Sequence, residues 1–216
     1  MKILFASNKG GVGKTTTLLN IAAWLQRNGK AVCLIKADRN NDIFSFVEKR
    51  KEALGQTLPV IEQFGDLAAC IERAATKYEF VLVDCAGHDS VEFRTALQVC
   101  DLYLCLLKPS SDFEVETLNE LTVTVRKAEK LNPKLRSVVV PTRVKPQRFN
   151  KVIELRAALT ADPIFIQPVK SYISELSIFE DVCNAGVGVH ECSSGSSLSK
   201  AKAQIELLCQ EVGINR

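Results

Sequence analysis

The chain has no apolar run long enough to span a bilayer, and Met1 leads into a short strand-like segment with no signal-peptide core before it. A membrane-spanning or exported protein is therefore not expected, and the cytoplasm is the expected compartment. A C-x-x-C pair is also missing from the eight cysteines, at 33, 70, 85, 100, 105, 183, 192 and 209. They read as reduced, mostly buried small hydrophobes rather than a disulfide framework or a zinc site. Repeats, low-complexity tracts and any linker long enough to separate a second domain are lacking too. The Ser193–Ser197 cluster is short enough for a surface loop. A net charge of +3 is too small to demand a polyanionic partner, although clustered basic residues would permit one.

What the chain does have is material for one substantial core. Its 216 residues, 46% of them hydrophobic, point to a single domain over 1–216. Strand-like apolar runs at Lys2–Ala6, Ala31–Ile35, Phe80–Val83, Leu102–Leu107, Val138–Val140 and Ile164–Ile166 alternate with helical patterns. The helices are expected near Ile43–Lys51, Leu67–Lys77, Val91–Cys100, Phe113–Lys130, Val152–Leu159, Glu175–Asn184 and Ser196–Cys209, with another from Thr15 to Gln26. Near-continuous apolar strands are buried on both faces, so the expected fold is a three-layer α/β/α sandwich around a mostly parallel sheet. Ligands of such sheets bind at the carboxyl ends of the strands.

Between the first strand and the first helix lies Lys9-Gly10-Gly11-Val12-Gly13-Lys14-Thr15-Thr16. Glycines let backbone N–H groups close on phosphate oxygens, and the helix beginning near Lys14 adds the positive end of its dipole. In this loop Lys14 would contact the β- and γ-phosphates, Thr15 would ligate Mg²⁺, and Thr16 would bond near the α-phosphate. The usual G-x-x-x-x-G-K-[ST] box fails at its first glycine, where Asn8 stands; the variant K-G-G-x-x-K-[ST] fits. A second apolar strand, Phe80–Val83, delivers Asp84 to its carboxyl end, followed by Gly87. Asp84 beside such a loop would hold Mg²⁺ through water, and Gly87 frees the backbone near the γ-phosphate as a sensor of nucleotide state. Cys85 and His88 look reactive in isolation, but nothing else completes a nucleophilic constellation.

The lysine-led box resembles that of the ParA/MinD family of deviant Walker A ATPases, and among them the small ParF-like plasmid-partition proteins. The resemblance runs in motif order from Lys9 to about Glu191. It implies that Lys9 reaches across an ATP-sandwich homodimer to the partner's phosphates. It also implies that Asp38, in Lys36-Ala37-Asp38-Arg39-Asn40, matches the second acid of D-x-D-P-Q, which orients the attacking water. The chain departs from the pattern at Lys36, which would either add favourable charge near the triphosphate or pair with Asp84. Lys108-Pro109-Ser110-Ser111-Asp112-Phe113 resembles the family's P-S-x-x-D segment, one residue short of its spacing; Asp112 serves either the dimer interface or the N-cap of the following helix. Thr142 and Arg143 stand where family members contact adenine, and Leu176 where an arginine is expected.

Arg143, Lys145, Arg148, Lys151 and Arg156 follow one another in a loop and helix and would form a DNA-phosphate patch if they share a face. The resemblance implies non-specific DNA binding by an ATP dimer, with nucleoid association and a ParB-like centromere-binding adaptor that stimulates a weak ATPase. No helix-turn-helix precedes Lys2, and Leu198–Cys209 carries only Lys200 and Lys202 as basic residues, so neither operator recognition nor MinD-type membrane binding is expected. The same engine would serve placement of a protein complex or of conjugative machinery. Two other classes stand beside it: a P-loop small-molecule kinase or synthetase, and an iron–sulfur carrier using Cys100 and Cys105.

Overall fold

A computed structural model describes residues 1–7, 9–86, 89–109 and 113–215, and of residues 113–117 the backbone alone. The strands are β1 (Lys2–Ala6), β2 (Val32–Ala37), β3 (Val60–Glu62), β4 (Phe80–Cys85), β5 (Leu102–Leu107) and β6 (Arg136–Pro141). The α-helices are α1 (Lys14–Arg27), α2 (Asp42–Leu54), α3 (Ala68–Ala75), α4 (Val91–Leu97), α5 (Phe113–Leu131), α6 (Phe149–Ala161), α7 (Ser177–Asn184) and α8 (Leu198–Val212). All strand pairs are parallel, in the order β3-β2-β4-β1-β5-β6. This is a three-layer α/β/α sandwich.

Burial explains the layers. β2, β4 and β5 are buried at every position, so their side chains feed cores on both sides. On one face Ile3, Phe5, Leu34 and Leu82 pack beneath α1, α2, α7 and α8. On the other, Leu4, Ile35, Val83 and Tyr103 pack beneath α3 to α6. Residues Thr17 to Leu25 of α1 are all buried, as expected of a helix sandwiched between a sheet and further helices. Leu18, Ile21 and Leu25 are each fully covered, and such side chains contribute about 1.5–3 kcal/mol apiece.

A buried ion pair fastens the α2 side of this layer. The Arg50 guanidinium, 0% exposed, meets both carboxylate oxygens of Glu191 at 2.7 and 2.6 Å and also donates to the Gly186 carbonyl and to Gln26 Oε1. Gly186 has a φ of +75°, and a Cβ there would lie 2.3 Å from the Arg50 backbone nitrogen.

Two elements differ from the sequence expectation. Ile164–Ile166 is not a strand: Arg126 takes the carbonyls of Ile164 and Phe165 at 2.9 and 2.6 Å, and the prolines at 163 and 168 offer no N–H. Among the described residues two isolated parallel bridges, Val139 to Pro168 and Val144 to Ser174, mark that edge. Conversely, β3 forms where no strand was expected, as a three-residue edge strand directly after Pro59. All eight cysteines are free thiols. Among the described residues no helix is long and apolar enough to cross a membrane.

The topology decides where a ligand sits. From β1 the chain moves outward to β2 and β3, returns to place β4 beside β1, then builds β5 and β6 on the other side. The reversal brings the carboxyl ends of β1, β2 and β4 together, which is where such sheets open a crevice.

Candidate functional site: the phosphate loop and its carboxylates

The loop between β1 and α1 is shaped by its glycines. Gly11 and Gly13 have φ of 73° and 87°, a left-handed region that costs an L side chain about 1–2 kcal/mol. Gly13 is also the residue from which α1 starts, and its carbonyl receives Thr17 N–H at 2.9 Å. Ser7 Oγ ties the loop's entrance by donating to the Lys9 carbonyl at 2.8 Å. Lys9, Gly10 and Gly11 stand exposed on the outer rim, whereas Val12 is buried.

β6 supports the loop from the far side. Thr142, 1% exposed, donates from Oγ1 to the Val12 carbonyl at 2.7 Å. Arg143 donates to the Gly11 carbonyl at 3.1 Å and pairs with Glu180 at 3.0 Å and Glu175 at 3.4 Å. Its own φ of 51° is unusual for a non-glycine residue and is the kind of backbone state found at ligand sites. Val12, Gly13, Thr16, Thr142, Arg143 and Leu176 line one recess beside the loop. The expected adenine contacts thus border a recess on that loop, with Thr142 as buried wall and Arg143 as an ion-paired strap.

Lys14, Asp38 and Asp84 converge from α1, the end of β2 and β4. Lys14 Nζ is 3.0 Å from Asp38 Oδ2 and makes a short ion pair with Asp84 Oδ1, while Thr15 Oγ1 donates to Asp84 Oδ2 at 2.8 Å. Burial works to lower the lysine's pKa, but the two carboxylates outweigh it and raise the value, so Lys14 is firmly cationic. Burial pushes the Asp84 carboxyl up, against the pull of Lys14 and Thr15. Asp38 is only partly buried; that burial is outweighed by Lys14 and the N–H groups of Asn40 and Arg39, and its pKa is lowered. The Thr15 hydroxyl and Asp84 carboxylate form an all-oxygen donor set, which fits a hard cation such as Mg²⁺.

Lys36 does not pair with Asp84. Its ammonium meets Glu62 Oε1 at 2.6 Å and lies 5.3 and 5.6 Å from the ring centroids of Phe44 and Phe64. Asp84 is left to Lys14 and Thr15. Glu62, Glu175 and Glu180 were not singled out in the sequence: Glu62 ends a strand too short for a period-2 signal, and the other two sit in an ordinary helix-start pattern. Gly87, His88 and Asp112 lie outside the described residues.

The five basic residues do not form one uniform patch. Arg156 is turned inward, donating to the carbonyls of Val169, Lys170 and Ser171 at 3.1, 2.5 and 3.1 Å. Lys145 pairs with Glu175 at 3.5 Å and Lys151 with Glu154 at 2.6 Å. Lys145 and Arg148 are exposed. Cys100 and Cys105 are both buried within the domain, and burial holds the Cys105 thiol at about 11.

Comparison with known proteins bears on the family and the fold. Residues 3–178 match the model of the CobQ/CobB/MinD/ParA nucleotide binding domain. The maintenance of carboxysome distribution protein A of Halothiobacillus neapolitanus is 25% identical over 209 residues, covering 96% of this chain and 94% of that protein. Among solved structures, a plasmid partition protein of Borrelia burgdorferi bound to AMPPNP superposes with a TM-score of 0.71 at 20% identity, covering 98% of this chain and 99% of that one. An ATP complex of a Cyanothece McdA variant gives 0.69 at 17% identity, over 100% and 97% of the two chains.

Proposed function

The chain belongs to the CobQ/CobB/MinD/ParA nucleotide-binding family, and on that premise we propose that it is a partition-type ATPase that uses ATP to switch between a monomer and a DNA-bound homodimer. The observation that carries this reading is Lys14, held between Asp38 and Asp84 at the start of a helix that follows a glycine loop with a lysine on its outer rim.

The chemistry is an exchange of partners. A triphosphate entering the loop takes the Lys14 ammonium, together with the backbone N–H groups of Gly10, Gly11, Val12 and Gly13, and Thr16. Asp84 and Thr15 are then open to Mg²⁺, which when bound would neutralise charge on the β- and γ-phosphates. Asp38, released by Lys14, accepts a hydrogen bond from the attacking water and orients it. Lys9, on the rim, reaches the phosphates of a second copy. Thr142, Arg143 and the recess behind them take the base.

In this reading the ATP dimer doubles the exposed basic surface around Lys145, Arg148 and Lys151, and binds duplex DNA without sequence preference. Hydrolysis, stimulated by a centromere-binding adaptor, releases dimer and DNA together. The similarity to a carboxysome-distribution protein over nearly the whole chain favours a second cargo, a protein assembly moved by the same engine.

The test is duplex DNA binding by wild type and Lys9→Ala with ADP, ATP and a slowly hydrolysed ATP analogue, at low and moderate salt. Binding that requires both ATP and Lys9 is expected. Binding in no state would remove the DNA-matrix mechanism and bring forward a small-molecule kinase or synthetase.

A further inference from the structure

The charged residues at the carboxyl rim of the sheet stand in a row. Glu62 on β3 is the register partner of Lys36 on β2, and Lys36 is in turn the register partner of Asp84 on β4. Register partners of a parallel sheet point their side chains to the same face from strands about 4.8 Å apart. The face is the one that packs against α1, since Leu34 and Leu82, two residues earlier on β2 and β4, lie in that core. Lys36 thus has a carboxylate neighbour on either side and is long enough for both. In the structure it bonds Glu62 at 2.6 Å.

We propose that Glu62 is a positioning residue for the cation site: by holding the Lys36 ammonium at the sheet edge, it keeps Asp84 open to Mg²⁺. This rests on the reading of Asp84 given above. Lys36 is 1% exposed and shielded by Phe44 and Phe64, so it cannot exchange Glu62 for bulk water at little cost. Glu62 itself is half in solvent and is the anion that makes this buried lysine tolerable. Remove its charge, and the carboxylate left as a register partner of Lys36 is Asp84. At the moment a triphosphate draws Lys14 away, Lys36 then competes with the cation for Asp84. A cation at position 36 is thus compatible with a metal-binding Asp84 because the group that neutralises it stands one strand over, on the opposite side.

The experiment reads cation affinity directly, using Mn²⁺ as a paramagnetic probe with a slowly hydrolysed ATP analogue. Nucleotide affinity in EDTA and thermal melting serve as controls. Glu62→Gln should weaken Mn²⁺ binding about tenfold while leaving Mg²⁺-free nucleotide affinity unchanged. Lys36→Met/Glu62→Gln should return it to within about twofold of wild type, because the competing ammonium is gone. Wild-type Mn²⁺ affinity in Glu62→Gln, no recovery in the double variant, or an equal loss of EDTA-state nucleotide affinity would each overturn the proposal. Wild type that binds no nucleotide would instead overturn the reading of the site, and the proposal with it.

Discussion

The hydroxyl of Thr142 donates to the Val12 carbonyl at 2.7 Å, so the end of β6 carries the apex of the phosphate loop. A second acceptor, the Leu107 carbonyl at 3.3 Å, ties the same hydroxyl to β5. Thr142→Val keeps the shape and deletes the donor, so the Val12 carbonyl loses its hydroxyl partner while the Leu107 carbonyl keeps the backbone N–H of residue 142 at 2.8 Å. Stability should fall by about 1–3 kcal/mol, and nucleotide affinity should fall further than that of a core variant of equal stability. Urea denaturation and calorimetric nucleotide titration on the same samples check both effects.

Lys14→Met should cost the nucleotide-free protein stability as well as nucleotide binding. The variant keeps the aliphatic stem but strips the fully buried Asp84 carboxylate of its ion pair. Breaking a buried pair from one side costs about 3–5 kcal/mol. Asp84→Asn added to Lys14→Met should recover most of the loss, which chemical denaturation of the single and double variants would measure.

Within the basic series, Arg156 and Arg148 should behave oppositely. Arg156→Ala releases three carbonyls of the 169–171 loop, so its effect should appear in the melting temperature, with little change in DNA affinity per folded molecule. Arg148 is exposed, and Arg148→Ala should weaken duplex binding uniformly across sequences and lower the salt slope by about 1. Filter binding at several salt concentrations distinguishes the two.

His190 should give the protein an acid-sensitive limb. Burial lowers its pKa from the ordinary 6.5, outweighing the nearby Glu206 carboxylate. The unfolded chain therefore takes up this proton before the folded one does. The stability this group contributes is fully present above about 6.5 and is lost as pH falls through the histidine range. The melting temperature should drop between about pH 7 and pH 5, and His190→Gln should flatten that limb of the curve.

How much of this was legible depended on how local each signal is. β2, β4 and β5 are buried on both faces, so each reads as an apolar run in one dimension. The phosphate loop is legible because its chemistry is its spacing. β3 was missed because three residues behind a proline show no period, and Ile164–Ile166 was misread because a short apolar triplet looks like a strand until Arg126 occupies its carbonyls. Ion pairs between distant elements leave no local trace: Lys36 and Glu62 are separated by 26 positions, and Arg50 and Glu191 by 141. The fate of Lys36, the strap made by Arg143 with Glu175 and Glu180, and the inward turn of Arg156 all belong to this class.

The Arg50–Glu191 pair limits which elements of the domain can act as moving machinery. It bolts α2, which begins just after the Asp38 loop, to the segment leaving α7, and Gly186 at the joint has no room to slip. Sliding α2 past α7 would break a buried ion pair at a cost comparable to the stability of many small domains. The two helices therefore form a stiff frame around α1, and in the switch proposed above the work of signalling which nucleotide is bound would fall on short spans such as the few residues between Ala37 and Asp42. The lever arm is small, and the readout is accordingly local to the rim on which a second copy would land.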